Sequence, residues 1–102
     1  MSVKKQFLKS KPVCKVTFKA GKKLVGDAQK VFVVGDFNKW SEKKDKMKAL
    51  KDGSFTHTIE LETGREYQFR YLADGSNWIT DHEADKLSAS GFGDAQNSVV
   101  VL

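Results

Sequence analysis

The chain has 102 residues, of which 39% are hydrophobic and 11% aromatic, and this is enough for one core and too little for two. No apolar run approaches the roughly 18 residues of a membrane-spanning helix, and the charged start lacks the apolar stretch of a secretory signal. A single cysteine, Cys14, cannot form an internal disulfide. We therefore expect a reduced, cytoplasmic, single-domain protein.

The formal net charge of +5 is unevenly distributed. Residues 1–30 contain nine lysines and one acid, whereas residues 52–102 contain three basic residues and nine acids. Lysines on strand edges keep chains from pairing, although such asymmetry can also attract nucleic acid or another anionic surface. The aromatic residues are not interleaved with the lysines as stacking on bases would require, so nucleic-acid binding is the weaker interpretation.

Short runs rich in Val, Phe, Tyr and Thr, separated by turn signals, predict strands along most of the chain. Residues 1–11 are polar and aperiodic, so we expect a flexible lead-in, with residues 12–102 forming the domain. The predicted strands cover residues 13–19, 30–34, 55–61, 67–72, 78–80 and 99–102. Residues 52–53, 64 and 74–75 are turn signals, and residues 81–88 could form one helical turn at most.

Six or seven short strands with almost no helix predict an all-β fold. Periodicity alone does not decide between a sandwich and a small barrel. The continuous apolar run from Val31 to Val34 indicates a strand that is buried on both sides or crosses the core. Cys14 falls on the apolar side of its strand, which predicts a small core residue rather than a nucleophile.

No pattern in the sequence is typical of a catalytic or metal site. His57 and His82 lie on different elements, without a C-x-x-C or H-E-x-x-H motif around them. A glycosidase needs two carboxylates flanking a cleft, whereas the acids of residues 81–85 are close together in a polar segment. We therefore predict a protein that is not an enzyme and needs no cofactor or metal.

Both tryptophans lie beside turns, where a core tryptophan is not expected. Trp40 precedes a charged segment, and Trp78 follows the turn at residues 74–77. An exposed indole can cover the C–H face of a pyranose ring at little entropic cost, while the hydroxyls need polar partners. Arg70 on a polar strand face, with Gln96 and Asn97 in the last loop, could supply these partners. The same indoles could instead cap the ends of the core.

Three segments carry a more specific signal: Val31-Phe32-Val33-Val34-Gly35-Asp36-Phe37-Asn38-Lys39-Trp40, then Gly64 to Gly75, which contains Tyr-Gln-Phe-Arg-Tyr-Leu-Ala-Asp-Gly, then Phe92 to Val101. In this order and spacing they resemble family 48 carbohydrate-binding modules. These include the glycogen-binding domain of AMP-activated protein kinase β subunits and the early domain of isoamylases. The resemblance runs from about residue 13 to 102. It implies an immunoglobulin-like antiparallel β-sandwich that binds glycogen, starch and related α-1,4-glucans without catalysis.

The resemblance also implies a set of sugar-binding positions: Trp40, Arg70, Trp78, Phe92, Asp94, Gln96 and Asn97. The tryptophans look like the stacking pair, and the arginine takes the place of a lysine that bonds hydroxyls. Phe92 falls at a leucine that inserts into the sugar ring, and Asp94 and Gln96 fall at a threonine and an asparagine. Asn97 matches an adjacent asparagine that can be structural.

Several departures from the family pattern affect this site. Arginine keeps the charge of lysine but changes the geometry of its donors. Asp94 adds a charge to its loop, Gln96 lengthens an amide, and the loop from Asp74 to Trp78 is one residue longer. Affinity and chain-length preference depend on these details more than the class of ligand does.

A second function remains open. The chain could be a protein-interaction module that has kept this fold, lost sugar binding and associates with a glycogen-metabolism enzyme or regulator. It would then dock through a strand edge or through the apolar Leu87–Phe92 region. Under the first function the partner is an α-glucan, with a glycogen-metabolising enzyme as a further candidate. Neither function calls for a membrane.

Overall fold

A computed structural model describes residues 3–89 and 96–102 of the chain. The described residues contain nine strands and two short helical turns. The strands are β1 (Val3–Phe7), β2 (Val13–Ala20), β3 (Val31–Gly35), β4 (Lys48–Ala49), β5 (Phe55–Glu62), β6 (Glu66–Ala73), β7 (Asn77–Ile79), β8 (Lys86–Ala89) and β9 (Gln96–Val101). The turns are helix α1 (Lys22–Val25) and a 3₁₀ turn (Asp36–Asn38).

The strands form two antiparallel sheets. The four-stranded sheet has the order β1-β2-β5-β4, and the five-stranded sheet has the order β3-β6-β9-β8 with β7 paired to β6. Strands β7 and β9 both pair with β6, β7 at residues 71–73 and β9 at residues 66–69. The all-β prediction is confirmed, and of the two architectures left open by periodicity the chain forms the sandwich.

Three of the nine strands were not predicted. Residues 3–7, assigned to a flexible lead-in, form β1 and pair along their whole length with β2. Val3 is buried, and Lys5 Nζ lies 2.6 Å from a carboxylate oxygen of Asp85 on the other side of the sandwich. Strands β4 and β8 are short and lack an apolar alternation, so their sequences give no strand signal. They are strands because they pair with β5 and β9.

Aromatic rings fill the space between the two sheets. The Phe18 ring from β2 lies 4.9 Å from that of Phe69 and 5.4 Å from that of Phe37, measured between centroids. Tyr71 continues the cluster, with its ring 5.7 Å from Phe69 in an edge-to-face arrangement. Phe37 belongs to the 3₁₀ turn, so packing in the core fixes the position of that turn.

Other expectations about the core are also met. Cys14 is fully buried between the sheets, as predicted for a small core residue. In β3, Val31 and Val33 join the core, while Val34 is buried on the opposite side of the strand. Among the described residues, no helix is long and apolar enough to cross a membrane.

Candidate functional site

The outer face of the five-stranded sheet, which is turned away from the core, carries Arg70 and Trp78 of the predicted site. Val34 of β3 is paired with Arg70 of β6, and Leu72 of β6 lies between Phe32 of β3 and Trp78 of β7. Leu72 has a relative exposure of 1%, although its chain neighbour Tyr71 faces the core on the other side. This face therefore has an apolar base, which is unusual for the outside of a sandwich.

The turn that carries Trp40 is fixed by one buried amide. The side-chain oxygen of Asn38 accepts a hydrogen bond from the Gly35 N–H at 3.1 Å, and its nitrogen donates to the Val33 carbonyl at 3.0 Å. The same nitrogen donates to Asp45 at 2.7 Å. Where β3 ends, the Asn38 side chain therefore acts as the hydrogen-bond partner of the Gly35 N–H and the Val33 carbonyl, in place of another strand.

Trp40 itself sits in a strained backbone conformation. Lys39 and Trp40 have φ angles of 57° and 59°, in the left-handed region that bulky residues rarely adopt. The Trp40 N–H donates to the Gly35 carbonyl at 2.9 Å, which closes the turn. The indole is half-buried, and its Nε1–H donates to Asp36 Oδ1 at 2.9 Å.

Trp78 is held differently, by the pairing of its strand. It lies opposite Leu72 on β7, and its relative exposure is 41%. The hairpin before it uses positive φ angles at Asp74 and Gly75. Asp74 Oδ1 accepts hydrogen bonds from the N–H groups of residues 29 and 30 at 2.8 and 3.0 Å, which anchors the base of the longer loop.

Gln96 and Asn97 were predicted in a loop, and this was wrong because they begin β9. The Gln96 carbonyl accepts hydrogen bonds from Arg70 Nε at 3.1 Å and from the Thr80 hydroxyl at 2.6 Å. Asn97 has a relative exposure of 7%, and its amide nitrogen donates to Gln68 Oε1 at 2.8 Å. Within the described residues, these contacts give both positions a role in organising the site.

Both tryptophans are connected to β6, and the positions of these two connections along the strand set the geometry of the candidate site. Asp36, which binds the Trp40 indole, contacts the backbone of Gln68, whereas Trp78 lies opposite Leu72. Four residues of an antiparallel strand span about 13 Å, so the two attachment points on β6 are roughly that far apart along the strand. Arg70 lies between these points, half-buried. Phe92 and Asp94 lie outside the described residues.

Two grooves lie on the part of the molecule that the structure describes. A groove of about 530 Å³ is lined by residues such as Lys19 and Asp81, and another of about 400 Å³ by residues such as Gly26 and Ser54. Neither groove is lined by a tryptophan. Both grooves are therefore separate from Trp40, Arg70 and Trp78.

Sequence reasoning missed three residues that shape this surface. Asp36 binds the Trp40 indole, Phe32 is half-buried beside Leu72, and the Thr80 hydroxyl fixes the start of β9. An acid four residues before an exposed tryptophan was a readable signal for the first of these. Phe32 was hidden within a run interpreted as wholly buried.

Other polar groups in the described residues are arranged structurally. His57 Nε2 lies 3.1 Å from Asp45 Oδ1, and Asp45 also accepts the bond from Asn38, so the histidine supports the turn beneath Trp40. Burial, with the nearby Asp81 carboxylate adding to it, raises the pKa of Tyr71 well above its usual value. Within residues 3–89 and 96–102, no group of three or more His, Cys, Asp or Glu side chains could hold a metal ion.

Comparison with known proteins identifies the family. The family model described as the glycogen recognition site of AMP-activated protein kinase matches residues 23–102, which include both tryptophans and Arg70. The match begins after β2, later than the start at residue 13 that the resemblance suggested. None of the curated proteins compared with the chain matches it. Since the matched segment is well over half of the 102 residues, the chain belongs to the family of the glycogen recognition site of AMP-activated protein kinase.

Proposed function

We propose that this protein binds α-1,4-glucans such as glycogen, starch and maltooligosaccharides without catalysing a reaction on them. The observation that carries the proposal is the attachment of both tryptophans to β6, Trp40 through Asp36 at Gln68 and Trp78 through its pairing with Leu72, at points about 13 Å apart along that strand. Trp40 and Trp78 stack on sugar rings, and Arg70 between them donates hydrogen bonds to hydroxyls. The membership of the chain in a glycogen-recognition family supports the choice of α-glucan.

The chemistry of the surface matches that of a glucan chain. A pyranose ring has an apolar face of C–H groups, which an indole covers with little loss of side-chain entropy. A guanidinium group carries five N–H donors in a fixed plane, and one of those of Arg70 is committed to the Gln96 carbonyl. The arginine is therefore oriented before the sugar arrives.

The expected affinity is modest. An open platform desolvates only part of the ligand, so we expect a dissociation constant of roughly 0.1–1 mM, or about 4–5.5 kcal/mol. A polymer that presents many sites raises the apparent affinity without any new contact. The module would thereby bring a glycogen-metabolising enzyme to its substrate in the cytoplasm.

Co-sedimentation with glycogen tests the proposal. We expect Trp40→Ala and Trp78→Ala each to lose most of the bound fraction while circular dichroism remains that of the parent. Phe7→Ala is the matched control, because Phe7 is an aromatic residue with 56% relative exposure on the four-stranded sheet. Full binding by both tryptophan variants would refute the proposed site.

The same experiment addresses the second function. A parent protein that folds normally but shows no co-sedimentation, and no change with maltoheptaose, would favour a protein-interaction module that has lost sugar binding. Its glycogen-metabolism partner would then be sought through the edge strand β8 (Lys86–Ala89), which includes part of the Leu87–Phe92 region.

A further inference from the structure

A carboxylate replaces a missing strand where β3 leaves the five-stranded sheet. The last residue pair between β3 and β6 is Gly35 with Phe69. One residue further along, the N–H of Gln68 donates to Asp36 Oδ2 at 2.8 Å. Asp36 therefore supplies the acceptor that the carbonyl of a longer β3 would have supplied, and β6 stays hydrogen-bonded to the edge of the site.

The other oxygen of the same carboxylate holds the indole. Asp36 Oδ1 accepts the hydrogen bond of Trp40 Nε1–H at 2.9 Å. Both oxygens are thus engaged, one with the backbone of the central strand and one with the ring. Hydrogen bonds to an ionised acceptor are about twice as strong as neutral ones, so this bridge can resist rotation of the ring.

The backbone around the bridge shows why the ring needs such a partner. Lys39 and Trp40 both have left-handed φ angles, a conformation that is strained for side chains of this size. A half-buried ring on a strained turn has other orientations open to it. The hydrogen bond from the indole nitrogen to Asp36 selects one of these orientations.

We infer that Asp36 is the positioning residue for Trp40, fixing the plane of the indole before the glucan binds. The inference rests on the proposed function and extends it, because it assigns a role to a residue that need not touch the sugar. It also distinguishes the two tryptophans, because Trp78 is placed by the pairing of β7 with β6 and has no contact with Asp36 among the hydrogen bonds of the described residues.

The bridge continues into the sheet through Gln68. Its backbone N–H binds Asp36, and its side-chain oxygen accepts a hydrogen bond from Asn97 at 2.8 Å. The chain of contacts from the indole to β9 is therefore unbroken: Trp40, Asp36, Gln68 and Asn97. Displacement of Asp36 should consequently disturb Trp40 while leaving Trp78 unaffected.

The test uses ¹⁵N-labelled full-length protein, whose two tryptophans give two indole Nε1–H resonances. The Trp40→Phe variant identifies the resonance of interest. In Asp36→Ala we expect the Trp40 indole resonance to shift upfield and its hydrogen exchange to accelerate roughly tenfold or more, while the Trp78 resonance remains in place. Glu60→Gln, which removes an exposed carboxylate on the four-stranded sheet, should leave both resonances unchanged.

Affinity for β-cyclodextrin provides the second readout. Asp36→Ala should weaken binding about tenfold, because both contacts are lost. Asp36→Asn keeps one acceptor oxygen but replaces the other with a donor, so it should weaken binding only about threefold. This graded order, with thermal unfolding near that of the parent, separates positioning of the ring from a general loss of structure.

Two results would overturn the inference. An unchanged Trp40 indole resonance in Asp36→Ala would mean that the bridge does not hold the ring. Parental affinity in Asp36→Ala, with the resonance displaced, would mean that ring position does not control binding. Failure of the proposed function is distinguishable, since the parent itself would then not bind β-cyclodextrin, and the role of Asp36 in glucan binding would fall with it.

Discussion

The outer face of the four-stranded sheet carries exposed or half-exposed lysine, threonine and glutamate side chains, whereas that of the five-stranded sheet buries Val34, Leu72 and Val99. On the first face, Thr17 lies opposite Thr58, with their hydroxyl oxygens 2.9 Å apart. Alternation along β2 and β5 turns their lysine, threonine and glutamate side chains outward, and His57, on the inward side, is bonded to Asp45. On the second face, alternation instead places apolar residues on both sides of β3 and β6.

The buried outer face of the five-stranded sheet goes beyond what the folding of a β-sandwich requires. An outer face needs no apolar base for stability, since the core between the sheets already buries the large rings. A second apolar layer, with Leu72 directly opposite Trp78, supports that indole. The five-stranded sheet therefore contributes one apolar face to the core and a second to the outer surface, whereas the outer face of the four-stranded sheet is polar.

Removing the apolar base should have the largest effect on stability. Leu72→Ala takes away a side chain that is buried on the outer face between Phe32 and Trp78. We expect it to lower the free energy of unfolding by about 2–5 kcal/mol, as for other buried leucines. Thr58→Ala on the other outer face should cost less than about 1 kcal/mol. Urea unfolding of both variants measures the contrast.

An equal cost for these two variants would contradict the distinction between the faces. It would mean either that Trp78 moves to fill the space left by Leu72 or that the outer layer contributes little to stability. Near-ultraviolet circular dichroism separates these outcomes, since a moved indole changes its spectrum.

The next largest effect should come from the close approach of the Trp40 turn to β6. A methyl group at Gly35 would overlap the Gln68 carbonyl and lie 2.8 Å from the Phe69 side chain. We expect Gly35→Ala to cost about 1–3 kcal/mol and to displace the turn, which changes Trp40 fluorescence. Gly21→Ala is the control, because nothing lies within 4 Å of its added methyl group. Similar unfolding curves for both variants would mean that the Trp40 turn does not pack tightly against β6.

A smaller effect is expected from the arginine between the tryptophans. Arg70→Lys keeps the charge but loses the planar array of donors, so affinity for maltoheptaose should fall about threefold, by calorimetry. Arg70→Ala should reduce it further, to about a tenth. Arg65→Ala provides the comparison, because Arg65 stacks over the Tyr67 ring at 5.0 Å, on the core-facing side of β6. A larger loss in Arg65→Ala than in Arg70→Ala would place the sugar elsewhere.

The smallest effect concerns pH and the four-stranded sheet. Hydrogen bonds from Ser54, with the charge of Lys19 nearby, lower the pKa of Asp52 from its ordinary value of 3.8. Because the folded-state pKa lies below that of the unfolded chain, the contribution to stability is present above pH 3.8 and is lost as pH falls through the folded value. Asp52→Asn should therefore be less stable than the parent at neutral pH and equally stable in acid. A difference that grows on acidification would reverse this sign.

The sequence indicated one sheet more clearly than the other. In β2 and β5, alternation of apolar and polar residues, interrupted by His57 on the apolar side, predicted both the strands and their buried faces. The alternation of β6 was equally clear for Tyr67, Phe69 and Tyr71, but nothing local showed that Leu72 would also be buried. That burial depends on Phe32 and Trp78, which reach Leu72 from other strands.

The candidate site was predictable in part. Turn signals beside Trp40 and Trp78 predicted exposed side chains, because a chain that reverses at the surface carries its next side chains there. Trp78 is exposed, whereas Trp40 is half-buried with its indole nitrogen bonded to Asp36. The burial of Asn97 was not predictable, since it results from a hydrogen bond with Gln68 on a neighbouring strand. Likewise β1 was missed because only Val3 of its five residues is buried and its pairing with β2 defines it.

The most direct test of the central claim is a titration of intrinsic tryptophan fluorescence with β-cyclodextrin in the parent protein, Trp40→Ala and Trp78→Ala. Since the chain has two tryptophans, each variant reports on the single indole that remains. We predict a saturable change in the parent at roughly 0.1–1 mM and binding at least tenfold weaker in each variant. No change in the parent up to several millimolar, or parental affinity in both variants, would contradict the assignment of this sheet face to glucan binding.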